Sequence, residues 1–174
     1  MIELKCTSIF YDCDGVLTNN KVLTDQNGKE AVFFNRSDGL AISEFRKLGI
    51  HQAIISTETN PVVERRGEKL RIPVIHGLDE LSSNSRDKGS VLLEYAHENE
   101  IDLTKAMFIG NDINDLPALK IVGFPACPFD AEEEVISFVQ ESISKNGMGW
   151  VSKRNGGDGV IRELYRMFVL GIYG

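Results

Sequence analysis

The chain has 174 residues, 42% of them hydrophobic and 26% charged, with a formal net charge of −7 and a pI of about 5.0. That length suits one domain, spanning 1–174, with a core large enough to need no covalent staples. The acidic balance without a long basic run argues against nucleic acid as a partner, and no apolar run approaches the ~20 residues of a membrane-spanning helix. Cys6, Cys13 and Cys127 are odd in number and lack Cys-x-x-Cys spacing, which argues against a disulfide framework and a zinc site. Met1–Cys6 carries no basic segment followed by an apolar stretch, so no signal peptide is visible and a cytoplasmic location is expected.

In chain order, Ser8–Tyr11 reads as a buried strand that stops at Asp12-Cys13-Asp14-Gly15. A hairpin is predicted next, with Lys21–Thr24 and Glu30–Phe34 flanking a turn at Asp25-Gln26-Asn27-Gly28, because Asn-Gly between extended segments is a strong turn signal. Ala41, Ile42, Phe45 and Leu48 share one helical face over Asp38–Leu48, with Gly49 just past the end. Gln52–Ile55 is a strand running into Ser56; Asn60-Pro61 then opens a helix to about Leu70, Asn as N-cap and Pro at the first position. A short strand at Pro73–Ile75 precedes a loop-like stretch, Leu78–Asp87, and a helix over Asp87–Glu98. Lys105–Ile109 is a strand ending at Gly110-Asn111-Asp112, followed by a helix at Asp115–Lys120 and a strand at Val122–Pro125. Glu132–Ser144 has helical periodicity, Gly149–Lys153 is extended, Arg154–Gly159 is a second loop, and Val160–Gly171 is the last helix. Alternating strands and helices predict an α/β fold, a parallel sheet sandwiched by helices.

Four chemistry-bearing clusters follow predicted strands or open a helix, and in an open α/β sheet such positions converge at one edge. They are Asp12 with Asp14, then Ser56, then Lys88, then Asn111-Asp112 with Asp115. Alternation sends Asp12 and Asp14 to one side and Cys13 to the other. Two nearby carboxylates repel unless a cation lies between them or one keeps its proton. The pair therefore suits a metal site, a nucleophile beside an acid/base, or both.

This order of elements resembles the haloacid dehalogenase superfamily: Asp12-Cys13-Asp14-Gly15-Val16 as first motif, Ser56 as second, Lys88 as third and an acidic group after a later strand as fourth. The resemblance implies a Rossmann-like phosphatase. Asp12 is the expected nucleophile, forming an aspartyl phosphate, and Asp14 the acid/base. Ser56 and Lys88 are expected to contact the phosphoryl group. It also implies Mg2+ held by Asp12, the Asp14 carbonyl and a fourth-motif side chain, with Asn111 the direct ligand, Asp112 close behind it, and Asp115 orienting the site.

Asp12–Thr18, the hairpin and Phe34-Asn35-Arg36-Ser37-Asp38-Gly39 further resemble the small cap-less branch that includes 3-deoxy-manno-octulosonate 8-phosphate and nonulosonate 9-phosphate phosphatases. In that branch the hairpin (about 21–34 here) replaces a cap domain. The resemblance implies a phosphorylated sugar acid as substrate, a homotetramer whose neighbouring subunit completes each active site, and Asn35, Ser37, Asp38, Gly39 and Arg66 as substrate-binding residues. Gly156-Gly157-Asp158-Gly159 is similar to the carboxyl-terminal Gly-Gly-x-Gly segment of the branch.

The chain departs from the octulosonate pattern in three places. Ser56-Thr57-Glu58 stands where Thr-Gly-Arg is usual, Asp158 stands where Arg is common, and extra sequence precedes Lys88 around Glu80–Arg86. Ser56 to Glu58, Asn60-Pro61-Val62-Val63 and Ile72 to Gly77 instead resemble domains linked to acylneuraminate synthesis. The competing function is thus a non-catalytic oligomerisation module associated with acylneuraminate cytidylyltransferase. A phospho-receiver domain needs an Asp at the end of the third strand, which the Gln52–Ser56 region lacks. His51, His76 and His97 have no ligand spacing and are expected to be structural or surface residues.

Overall fold

The computed structural model describes residues 6–57, 61–76, 86–169 and 171. Its main sheet has six strands: β1 (Ser8–Tyr11), β4 (His51–Ile55), β5 (Val74–Ile75), β6 (Ala106–Ile109), β7 (Phe124–Cys127) and β8 (Trp150–Val151). They lie in the order β5-β4-β1-β6-β7-β8, and every neighbouring pair is parallel. Strands this apolar must be covered on both faces, and the core accordingly divides in two. Ile9, Tyr11, Ile54, Met107 and Ile109 face one layer, with α1 (Arg36–Lys47), α2 (Pro61–Leu70) and α6 (Val160–Val169) over it. Phe10, Ala53, Ile55, Ala106 and Phe108 face the other, under α3 (Lys88–Glu98), α4 (Leu116–Leu119) and α5 (Glu133–Asn146). Alternation along each strand thus builds both layers. Phe45 of α1 meets Phe168 of α6 edge-on, ring centroids 4.9 Å apart, and fixes how the last helix lies on the first.

The predicted elements are all present where the chain is described, with boundaries moved by identifiable groups. α1 begins two residues before Asp38 because the Asn35 side chain caps it, accepting from the Ser37 N–H at 2.9 Å. Asp87 caps α3 in the same way, accepting from Ser90 N–H at 2.9 Å, so the helix proper starts at Lys88. Asp115–Lys120, read as one helix, is a tight turn at Ile113–Asp115 followed by α4. β7 runs two residues past the predicted end at Pro125, which sits inside the strand between two neighbours.

The hairpin is shorter than predicted: β2 (Leu23–Thr24) pairs antiparallel with β3 (Glu30–Ala31) over two residues each. Its turn is as read, with Gly28 in the left-handed region (φ 74°) and Asp25 accepting from the Asn27 and Lys29 N–H groups. Among the described residues no third strand pairs with it, so the pairing ends once the turn is behind it. Between β1 and α1 this hairpin stands where a cap domain would be inserted. The Asn60 cap, Glu58 and the 77–85 stretch lie outside the described residues. Among the described residues no helix is long and apolar enough to cross a membrane.

Candidate active site

Because β4, β1 and β6 are adjacent and parallel, their carboxyl ends deliver Ser56, Asp12 and Asn111 to one edge of the sheet, Asp12 in the middle. The Asp12 N–H still donates to the Ile109 carbonyl at 2.9 Å, so the nucleophile candidate sits on the last ladder bond of the strand. The chain then makes a wide turn over Cys13–Leu17, closed by Thr18 N–H to the Cys13 carbonyl at 3.0 Å. Cys13 enters the core, while Asp12 and Asp14 line a cavity of about 310 Å³. The Thr18 hydroxyl donates to Asp14 Oδ1 at 2.9 Å and fixes the direction of that carboxyl.

Lys88 reaches this floor from the first turn of α3, with only 2% of the residue exposed. Its ammonium donates to Asp12 Oδ1 at 2.7 Å and to Asp115 Oδ1 at 2.5 Å. Asp115, fully buried, uses its other oxygen to accept from the N–H groups of Asn111 (2.8 Å) and Asp112 (3.1 Å). One carboxylate therefore ties the β6 loop to the lysine. Burial pushes the Asp12 carboxyl up to about 7, with Asp115 adding to the rise and Lys88 opposing it. Burial by itself would lower the Lys88 ammonium, but the two carboxylates together outweigh it and leave it raised. The lysine is thus the firmly charged partner, and Asp12 is the carboxylate that gains most from further positive charge.

Asn111 supplies a test for such charge. As placed, its amide oxygen lies 3.0 Å from Asp12 Oδ2 and 2.7 Å from the Asp14 carbonyl oxygen. Three oxygens this close with no hydrogen between them repel one another. They match, however, the edge of an octahedron of oxygens around Mg2+, about 2.9 Å for metal–oxygen bonds of 2.0–2.1 Å. One carboxylate, one amide and one backbone carbonyl therefore fit a small hard cation. Gly15 makes the approach possible: a Cβ there would overlap the Asn111 amide, and its φ of 87° is a conformation that glycine tolerates. Among the described residues no group of three or more His, Cys, Asp and Glu side chains forms a metal site, so this shell depends on the amide and the carbonyl.

Of the other predicted residues, Ser56 is buried and lines the cavity. Asp112 also lines it, with Oδ1 accepting from the Ile113 N–H as a helix cap. Asn35, Ser37, Asp38, Gly39 and Arg66 are not among the cavity's lining residues. Asn35 caps α1 and accepts from the Ser37 hydroxyl at 2.7 Å. Asp38 is 1% exposed and accepts from the Arg162 N–H of α6 at 2.9 Å, burial pushing its carboxyl up to about 6. Arg66 lies over the Phe34 ring and donates to the Asn35 carbonyl, and Gly39 faces Leu70 and Arg66. In this chain these residues join the start of α1 to α2 and α6.

Gly156 and Gly157 buttress the Cys13–Leu17 turn. Gly157 N–H donates to the Val16 carbonyl at 3.0 Å, and a side chain at Gly156 would run into the Gly15 carbonyl. Sequence reasoning missed the far wall, formed by Asn20, Lys21, Glu30 and Val32 of the hairpin and by Asn114. Alternation gave part of the signal, since Glu30 and Val32 are two apart in the predicted Glu30–Phe34 strand and share a side there.

Residues 74–153 match the haloacid dehalogenase-like hydrolase family. A structure from Streptomyces avermitilis assigned to the HAD hydrolases is 36% identical and superposes with a TM-score of 0.82 over 96% of this chain and 86% of its own. The chain belongs to the haloacid dehalogenase family. Within the family it is similar to the 3-deoxy-D-manno-octulosonate 8-phosphate phosphatase of Haemophilus influenzae, 28% identical over 92% of this chain and 81% of that protein. The corresponding enzyme of Moraxella catarrhalis, solved with magnesium ion, phosphate ion and KDO, is 25% identical with a TM-score of 0.81, covering 96% of this chain and 87% of that one. The N-acylneuraminate cytidylyltransferase A of Danio rerio is 25% identical over 93% of this chain, which spans only 34% of that longer protein.

Proposed function

We propose that the chain is a Mg2+-dependent phosphomonoesterase of a phosphorylated 2-keto-3-deoxy sugar acid, octulosonate 8-phosphate or a nonulosonate 9-phosphate. The observation that carries this reading is the buried Lys88–Asp12 contact on the cavity floor with Asp14 on the same wall. A carboxylate held against an ammonium can attack phosphorus, because the same ammonium offsets the charge of the incoming phosphoryl oxygens. As the P–O bond to the sugar breaks, Asp14 gives its proton to the leaving alkoxide, and Asp12 carries the phosphoryl group. Asp14, now a carboxylate, takes a proton from the water that attacks the same phosphorus, and Asp12 is regenerated with release of phosphate. Such acid/base help is worth roughly 10²–10⁴ in rate. Ser56, at the end of β4, donates to a phosphoryl oxygen.

Asp12, the Asp14 carbonyl and Asn111 would hold Mg2+, with Asp112 behind them, and the ion supplies charge neutralisation between carboxylate and phosphate. Lys21 on the hairpin wall gives the cavity a cation for the sugar carboxylate, standing in for those absent at Glu58 and Asp158. A subunit of a homotetramer is supported by exposed apolar side chains on the hairpin that do not line the cavity, Phe33, 75% exposed, and Leu23. The cysteines, all free, accord with a cytoplasmic location.

The likeness to part of a cytidylyltransferase favours a second reading, a non-catalytic oligomerisation module. A panel of octulosonate 8-phosphate and nonulosonate 9-phosphates, assayed for phosphate release with Mg2+, separates the two. Turnover of one class supports the phosphatase. Inactivity on every member, with Mg2+ binding demonstrated, supports the module.

A further inference from the structure

The Asn111 amide can be turned end for end in its pocket without moving its atoms' positions. With the oxygen inward, three oxygens converge at 2.7 and 3.0 Å and need a cation among them. With the amide turned over, the same two short contacts become hydrogen bonds, the NH2 group donating to Asp12 Oδ2 at 3.0 Å and to the Asp14 carbonyl at 2.7 Å. Oxygen and NH2 of a carboxamide differ little in size and oppositely in hydrogen-bonding role. With the oxygen inward the NH2 faces only donors, and turning the amide over satisfies both ends, so without a cation the turned amide is the favoured state. The surroundings hold the residue in place. The Asn111 backbone is held by its N–H to Asp115 Oδ2 at 2.8 Å and its carbonyl to the Glu132 N–H at 2.8 Å. The residue is 8% exposed, and Gly15 leaves clear the space that a Cβ would fill.

We propose that Asn111 is a swivelling residue, a ligand oxygen when Mg2+ is bound and a hydrogen-bond donor that takes the cation's place when it is absent. This rests on the reading of the site as a Mg2+ site. An aspartate could do only the first. Without metal it would set a further anion against Asp12 and the Asp14 carbonyl, where Lys88 already serves two carboxylates. The amide therefore exchanges cation affinity for a cation-free site that stays folded, since affinity at such oxygen sites follows the number of charged ligands. The site would load and unload with Mg2+ supply, and not hold the ion permanently.

The test compares wild type with Asn111→Asp, by calorimetric Mg2+ titration and by melting in EDTA. Asn111→Asp should bind Mg2+ about tenfold or more tightly, melt lower than wild type in EDTA, and gain more from Mg2+. Unchanged affinity, or an EDTA melting point equal to or above wild type, would overturn the proposal. Should that variant not fold, side-chain amide NMR of the wild type decides. The Asn111 NH2 protons should exchange slowly in EDTA and faster with Mg2+, and exchange that ignores Mg2+ contradicts the swivel. If wild type binds no Mg2+ at all, the metal reading fails as well. If it binds Mg2+ and the variant matches it in both measurements, the swivel alone fails.

Discussion

Lys88→Met isolates the interaction that holds the active site together. Methionine keeps the length and apolar stem of the side chain but removes the ammonium that serves Asp12 at 2.7 Å and Asp115 at 2.5 Å. Both carboxylates are buried, so the loss leaves uncompensated charge, and breaking such a pair costs about 3–5 kcal/mol. For a domain of this size that corresponds to a melting point lower by roughly 6–20 °C at pH 8. The sign of the pH dependence follows from proton binding. In wild type the Lys88 ammonium is raised above 10.5 and stays charged at pH 8 and pH 5.5 alike. Asp12, pushed up to about 7 by burial, is ionised at pH 8 and largely protonated at pH 5.5, so its pairing with Lys88 contributes fully at pH 8 and fades as pH falls through 7. In the variant, unpaired carboxylates hold protons in the folded state more strongly than in the unfolded one. Stability then rises as pH falls. Thermal unfolding by circular dichroism at pH 8 and 5.5 should show a large gap that narrows on acidification. A variant as stable as wild type at pH 8, or a gap of the same size at both pH values, would refute this account of the lysine.

Two further substitutions probe residues with opposite placements. Asp38 has its carboxyl pushed from 3.8 to about 6 by burial, which corresponds to about 3 kcal/mol of destabilisation once it is ionised. A raised carboxyl binds its proton more tightly folded than unfolded, so this cost is absent below pH 4 and grows through pH 6. Asp38→Asn, which keeps an acceptor for the Arg162 N–H, should be more stable than wild type at pH 8 and lose that advantage near pH 4 in parallel urea titrations. Lys21→Met should raise KM for a sugar-acid phosphate about tenfold or more, a charged hydrogen bond being worth ~1.5–3 kcal/mol. It should leave p-nitrophenyl phosphate kinetics unchanged, and equal effects on both substrates would remove Lys21 from carboxylate recognition.

The floor of the site was legible because it is local: Asp12, Ser56 and Asn111 each follow an apolar strand, and parallel neighbours must end on one side. Lys88 was legible only through its order relative to those strands, since a lysine in the first turn of a helix is ordinarily on the surface. What the sequence hid depends on contacts across the fold. Asp38 and Arg66 also link α1 to α6 and to Phe34, contacts that span 124 residues in the case of Asp38 and Arg162 and that no local pattern announces. Lys21 carries no motif, and it joins the cavity only because the hairpin folds back over the sheet edge. The shortened hairpin and the start of α1 at Arg36 reflect a pairing of only two strands among the described residues and the Asn35 cap, which periodicity does not register.

The central claim is that Asp12 carries the phosphoryl group. Rapid acid quench of the Asp14→Asn variant with Mg2+ and p-nitrophenyl phosphate, whose leaving group departs without a proton from Asp14, followed by peptide mass mapping, tests it directly. The intermediate should accumulate without its base, with phosphate on the peptide containing Asp12 and none in Asp12→Asn. Turnover by wild type with no phosphate on that peptide, together with activity retained in Asp12→Asn, would contradict it.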